Sequence, residues 1–143
     1  MGDLDGAAEP ATLVLACLEA GLPVRALYRH PAPAYVVRNA GGTATRDAIR
    51  SILAGRQRAR ITRIVLLGHT RCRLLEPPGD RTLKRLGAPW RMLARAVDGT
   101  RRAALRDHLE AQVAVLRREP ALSGVRVEVA VYDDDTGALV SPS

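Results

Sequence analysis

Phenylalanine is absent from this 143-residue chain, and one tryptophan with three tyrosines leaves aromatic residues at 3%. Modules that read single-stranded nucleic acid stack bases on aromatic rings, so this sequence lacks their signature. No apolar run approaches the roughly 20 residues of a bilayer-spanning helix, which argues against a membrane span. Cysteine occurs twice, as Cys17 and Cys72. Two are too few for a disulfide framework and suit a reduced compartment, where thiols serve as ligands or nucleophiles. The start, Met1 to Pro10, is acidic and rich in small residues, without the basic region and long apolar stretch of a secretory signal. Gly6 stands where a myristoylation signal carries Ser or Thr. A cytoplasmic location is the expectation.

Lysine is almost missing as well: Lys84 stands alone beside 21 arginines, in a chain of formal net charge +7. From Arg25 to Arg102 there are 18 basic and 4 acidic residues, a local balance of +14, and the remainder carries 4 basic and 11 acidic residues, or −7. A basic middle suggests a phosphate-binding surface, a solvated or subunit-facing surface, or a field drawing small anions into a cleft. Without aromatics interleaved among its arginines or a nucleic-acid module, this stretch does not lead one to expect a nucleic-acid partner. The 47% hydrophobic and 26% charged content is that of a soluble globular protein. The length fits a single domain over 1–143, with 1–10 as a flexible tail.

Short apolar runs alternate with helical patterns. Ala11 to Cys17 reads as a strand buried on both faces, Ala34 to Val37 as a second and Arg63 to Gly68 as a third. Between the last two, Thr43 or Thr45 would cap a helix through Leu53. Glu76 to Gly87 reads as a loop with a short helix, and Pro89 to Val97 and Thr100 to Arg118 as helices. The last of these bears a stripe of Leu105, Leu109, Val113 and Leu116. Val125 to Tyr132 alternates as a strand and leads into the turn Asp133 to Gly137. Strands joined by helical crossovers predict an α/β fold with a mainly parallel sheet of four to five strands flanked by helices. Ligands collect beyond the carboxyl ends of such strands.

Cys17 closes the first strand, and His69 and Cys72 follow the third, so all three belong at one sheet edge. Two thiolates and an imidazole with a fourth position free match a catalytic zinc site. From spacing alone a second reading stands beside it, in which both cysteines are small buried hydrophobes and His69 is a satisfied loop histidine.

The segments Tyr35 to Gly42, Asp47 to Ile52 and Ile64 to Cys72 resemble the β-class carbonic anhydrases in order and spacing. That family carries Cys-x-Asp-x-Arg after its first strand, an Arg-Asn-Ala-Gly segment and a Gly-His-x-x-Cys-Gly turn. The ending Val131-Tyr132-Asp133 with Thr136-Gly137-Ala138-Leu139 is similar to its short actinobacterial-type members. The resemblance implies zinc held by Cys17, His69 and Cys72, a homodimer, and metal-bound hydroxide attacking a small electrophilic carbon, by default carbon dioxide in equilibrium with bicarbonate. It places Arg38, Asn39 and Gly41 beside the substrate cleft, where for Arg38 and Asn39 a structural role in the turn stands equally beside substrate contact. Arg50 and Ser51 fall at packing or interface positions, as does Trp90, while His30 and His108 read as surface histidines, with a proton-shuttle role as the alternative.

The chain also departs from that pattern. Glu19 replaces the Asp, Gly21 replaces the Arg, and Arg71 and Arg73 stand where Asp is common and where Gly is usual. In the family the Asp orients the nucleophile and the Arg holds that Asp off the metal. Glu19 therefore either caps the metal or is restrained by Arg71, Arg73 or Arg25, and Glu19, Arg71 and Arg73 are the candidate catalytic residues. The alternatives are a repurposed zinc hydrolase or lyase acting on another small anionic molecule, and a non-catalytic zinc-binding homologue.

Overall fold

The computed structural model describes residues 9–29, 31–75 and 101–140. The expected loop from Glu76 to Gly87, the helix from Pro89 to Val97 with Trp90, His30, and the tail apart from residues 9 and 10 lie outside them.

Strand β1 (Ala11–Cys17) follows the predicted bounds because its run of apolar residues must be covered on both faces. It pairs in parallel with β2 (Tyr35–Asn39) on one side and β3 (Ile61–His69) on the other. β3 pairs in parallel with β4 (Arg126–Asp133), and β4 turns back into the short antiparallel β5 (Ala138–Val140). The order β2-β1-β3-β4-β5 gives a five-stranded, mostly parallel sheet, in agreement with the predicted fold class.

Alternation along β1 and β3 divides the core in two. Leu13, Leu15, Ile64 and Leu66 face one way, into a cluster with Ala48 and Ile52 of helix α2 (Arg46–Arg56) and Leu105, Leu109 and Leu116 of helix α3 (Arg101–Arg118). Val14, Ala16, Val65 and Leu67 face the other way, onto Leu22 and Val24 at the short helix α1 (Val24–Leu27). Of the two predicted caps, Thr45 starts α2, its side chain accepting the Ala48 N–H at 3.1 Å. Packing of α3 on β3 is close enough that a Cβ at Gly68 would lie 3.0 Å from Leu109.

One expectation is corrected here. His108 is not a surface histidine: it lies 1% exposed on the inner face of α3, and its Nε2–H donates to the Gly41 carbonyl at 2.9 Å. It shares that face with Leu105, Leu109 and Gln112, as three-to-four spacing dictates. Arg50 is exposed and pairs with Asp47 at 3.4 Å, and Ser51 is exposed too.

Candidate metal centre

The parallel register sets Cys17 opposite Asn39 and His69 opposite Tyr132, so the ends of β1, β2, β3 and β4 form one rim. Beyond Cys17 the chain turns through Leu18, whose N–H donates to the Asn39 carbonyl at 2.8 Å. The Arg38 guanidinium clamps this turn, donating to the carbonyls of Cys17 at 2.8 Å, Glu19 at 2.6 Å and Leu22 at 3.1 Å. The Asn39 side chain closes its own loop, donating to the Thr43 carbonyl and accepting the Thr43 N–H, both at 2.7 Å.

Gly41 and Gly42 follow, both with positive φ, +73° and +61°. A Cβ at Gly42 would stand 3.2 Å from the Ala16 carbonyl carbon, so only glycine lets this loop lie flat against the end of β1. The segment expected beside a cleft thus also braces the strand that ends in Cys17.

Cys17, Glu19, His69 and Cys72 each offer one donor atom, and the four atoms lie within 4.8 Å of one another. Both cysteines are free, their Sγ atoms 3.6 Å apart. Tetrahedral zinc with Zn–S bonds of about 2.3 Å spaces two sulfurs by about 3.8 Å, whereas a disulfide needs about 2.0 Å. The His69 ring is 3% exposed, with Nδ1 on Asp134 Oδ2 at 2.9 Å and Nε2 buried without a hydrogen-bond partner. A buried nitrogen without a partner costs free energy unless something occupies its lone pair, and a cation among two sulfurs would do so. The donor set and the orphaned nitrogen fit a divalent metal of the zinc kind.

The two thiols divide their protons unequally. Cys17 is pushed down to about 4 by the Cys72 hydrogen bond, against the opposing effect of burial and with help from His69 and the main-chain N–H groups of Glu19 and Gly41. Cys72 is pushed up by its contact with Cys17 and by burial. For His69, burial opposes the charged form, yet the nearby Cys17 sulfur and the Asp134 carboxylate outweigh it and raise the imidazole above its ordinary value. A thiolate at Cys17 is therefore favoured where a cation would sit.

Glu19 meets one of its three candidate partners. Its Oε1 accepts the Arg73 main-chain N–H at 2.8 Å, and the Arg73 Nε lies 3.9 Å from Oε2. Arg71 turns instead to the Asp135 carboxylate, and its main-chain N–H donates to Asp134 at 2.8 Å. No ion pair to Glu19 from Arg25 is found among the described residues.

Sequence reasoning missed two residues at this rim. The sequence shows Asp134 only as part of a turn, and the signal for its role is its place just past β4, beside the His69 end of β3. The buried place of His108 is signalled by its lying one helical turn from Leu105 and Gln112.

A five-stranded α/β sheet bearing a Cys-His-Cys cluster at its carboxyl rim defines a protein of the β-carbonic anhydrase fold. A scan against protein families finds no match, and a search of curated proteins finds no relative. Among solved structures, carbonic anhydrase from Streptococcus mutans superposes with TM-score 0.67 at 23% identity, over 94% of this chain and 83% of that one. A carbon disulfide hydrolase in its apo form gives 0.69 at 20% identity, over 95% and 80%. One of two tetrameric β-carbonic anhydrases from Sordaria macrospora gives 0.68 at 17% identity, over 92% and 79%. The chain shares its fold with these enzymes. No helix among the described residues is long and apolar enough to cross a membrane.

Proposed function

We propose that the protein is a zinc-dependent enzyme that holds its metal through Cys17, His69 and Cys72 and acts on a small electrophilic carbon, with reversible hydration of carbon dioxide as the default reaction. The observation that carries this reading is the convergence of these donors with Glu19 within 4.8 Å, around a buried His69 nitrogen that has no other partner. Zinc held there supplies Lewis acidity and ionises water near neutral pH.

The remaining groups shape what happens around the metal. Glu19 stands at the position of the carboxylate that, in the resembled family, orients the nucleophile. The Arg73 main-chain N–H restrains it and takes over the part of the guanidinium missing at Gly21. The exposed side chains of Arg71 and Arg73, each beside a carboxylate at the rim, are the cations for which an anion such as bicarbonate would compete. Arg38, Asn39 and Gly41 form the loop wall, and any contact they make with substrate is secondary to bracing the Cys17 turn. A cytoplasmic homodimer belongs to this reading, and the tetrameric Sordaria macrospora enzymes of the same fold support oligomerisation.

A second reading, a hydrolase acting on another small carbon electrophile, is favoured by Glu19 and Gly21 at the positions of the family's Asp and Arg, and by the fold shared with a carbon disulfide hydrolase.

Metal analysis of the purified protein is expected to give about one zinc per chain, as a single three-ligand site requires, with loss in Cys17→Ala and Cys72→Ala. Stopped-flow hydration of carbon dioxide, run beside carbon disulfide hydrolysis, then separates the two readings. Full zinc retention in both variants would overturn the ligand assignment, and zinc binding with neither activity would leave a non-catalytic metal protein.

A further inference from the structure

We infer that Asp134 is a positioning residue for His69, holding the imidazole in the tautomer and orientation that turn Nε2 towards the sulfurs. This rests on the metal-centre reading above. Three consecutive aspartates follow Tyr132, and they divide their tasks. Asp133 Oδ1 accepts the N–H groups of Asp135 at 2.8 Å and Thr136 at 3.3 Å and so shapes the turn. Asp135 pairs with the exposed Arg71 side chain. Asp134 reaches the ring, with Oδ2 2.9 Å from His69 Nδ1.

The carboxylate is itself held in place. The same oxygen accepts the Arg71 main-chain N–H at 2.8 Å and the Thr70 hydroxyl at 3.5 Å, and the Asp134 N–H donates back to Thr70 Oγ1 at 3.0 Å. The β3–β4 ladder is carried one residue further by Thr70 N–H donating to the Tyr132 carbonyl at 3.1 Å. The aspartate is thus locked to the turn that carries both His69 and Cys72.

A neutral imidazole has a single N–H. An ionised carboxylate only accepts, so facing Nδ1 it places that proton on Nδ1 and leaves the Nε2 lone pair free. The opposite tautomer would turn an N–H towards the metal position and leave the carboxylate facing a lone pair. A carboxylate behind a ligating histidine also raises the basicity of the ligand. Asp134 thus does for His69 what geometry alone does for the thiols.

The test is zinc affinity, measured by competition with a chromophoric chelator, for the parent, Asp134→Asn, Asp134→Leu and Asp135→Asn. The thermal midpoint of each metal-free protein and the 15N shifts of His69 in the zinc-loaded proteins complete it. Asp134→Asn keeps an acceptor without the charge, and Asp134→Leu removes both. The parent is expected to bind zinc with Nδ1 protonated. Affinity should fall in Asp134→Asn and fall further in Asp134→Leu, by about 10- to 100-fold, with Asp135→Asn unchanged. Parent-like affinity in both Asp134 variants would overturn the proposal while leaving the metal centre standing. So would a loss matched by an equal fall in metal-free stability, the mark of a merely structural role. A parent that binds no zinc would refute the metal-centre reading itself, and the proposal with it.

Discussion

Replacing Gly42 by alanine puts a single methyl group where the structure has no room for one. Two effects add. At φ +61° a residue with a Cβ is in the left-handed region, which costs about 1–2 kcal/mol. The new Cβ would also stand 3.2 Å from the Ala16 carbonyl carbon and 3.4 Å from the Cys17 nitrogen, main-chain atoms at the end of a strand held between two others. Such a neighbour cannot swing away as a flexible side chain does, and overpacking of this kind costs about 1–3 kcal/mol. Gly124 is the matched control: its φ is +80°, and a Cβ there meets nothing within 4 Å. Gly124→Ala should therefore cost only the backbone part, about 1–2 kcal/mol, and Gly42→Ala about 2–5 kcal/mol. The smaller entropy of the unfolded alanine chain stabilises both variants alike and cancels in the comparison. Urea denaturation of the metal-free proteins, fitted with a shared slope, reads the difference as a midpoint shift. Because the push falls on Cys17, zinc affinity should drop in Gly42→Ala and hold in Gly124→Ala. If the two variants unfold at the same urea concentration, the close approach to β1 is not a constraint and the reasoning fails.

Burial lowers the His108 pKa below its ordinary 6.5, partly offset by its bond to the Gly41 carbonyl. As pH falls through about 6.5, the unfolded chain takes up this proton before the folded one, so stability present above that pH is lost on acidification towards the lower folded value. His69, with its raised pKa, contributes with the opposite sign in parent and variant alike. The urea midpoint of the parent should thus fall more steeply below pH 6.5 than that of His108→Gln, and parallel profiles would refute the burial argument. Arg38→Met removes three hydrogen bonds to carbonyls while keeping the aliphatic stem. Discounted for solvent at this partly exposed site, the loss should be about 1–3 kcal/mol, with weaker zinc binding because the Cys17 turn loosens. A stability change under 0.5 kcal/mol would show that water replaces the clamp.

How much of this was readable in advance depended on what kind of group made each contact. β1 and β3 are runs of apolar side chains, and their burial on both faces is a property of composition alone. The three residues of β5, Ala138 to Val140, are all exposed and too short a run to show an alternation, so only their pairing with β4 reveals them. The four residues of α1 are too short for a periodicity. At the rim, Cys17, His69 and Cys72 could be brought together on paper because each follows a strand predicted to be parallel. The sequence offers three arginines as partners of Glu19 and does not choose among them, because the closest group is a main-chain N–H, which every residue but proline possesses. The same holds for Gly41 and Gly42: the sequence marks a turn there, and only the structure shows that the turn rests on Ala16. His108 is hidden from the sequence because a polar side chain on an apolar helical face looks like an exception until its acceptor, a carbonyl 67 residues away, is in view.

The separation of core from rim bears on how such a protein changes over time. Residues on β1 and β3 are hemmed in on both sides of the sheet, so nearly every substitution there threatens the whole molecule. Glu19, Gly21, Arg71 and Arg73, the positions at which this chain parts from the family it resembles, all lie past the strand ends. There a substitution alters the chemistry presented at the rim and leaves the packing alone. A handful of loop changes could thus alter what the rim presents while the scaffold stayed intact, which makes the rim the natural place to begin re-engineering the protein.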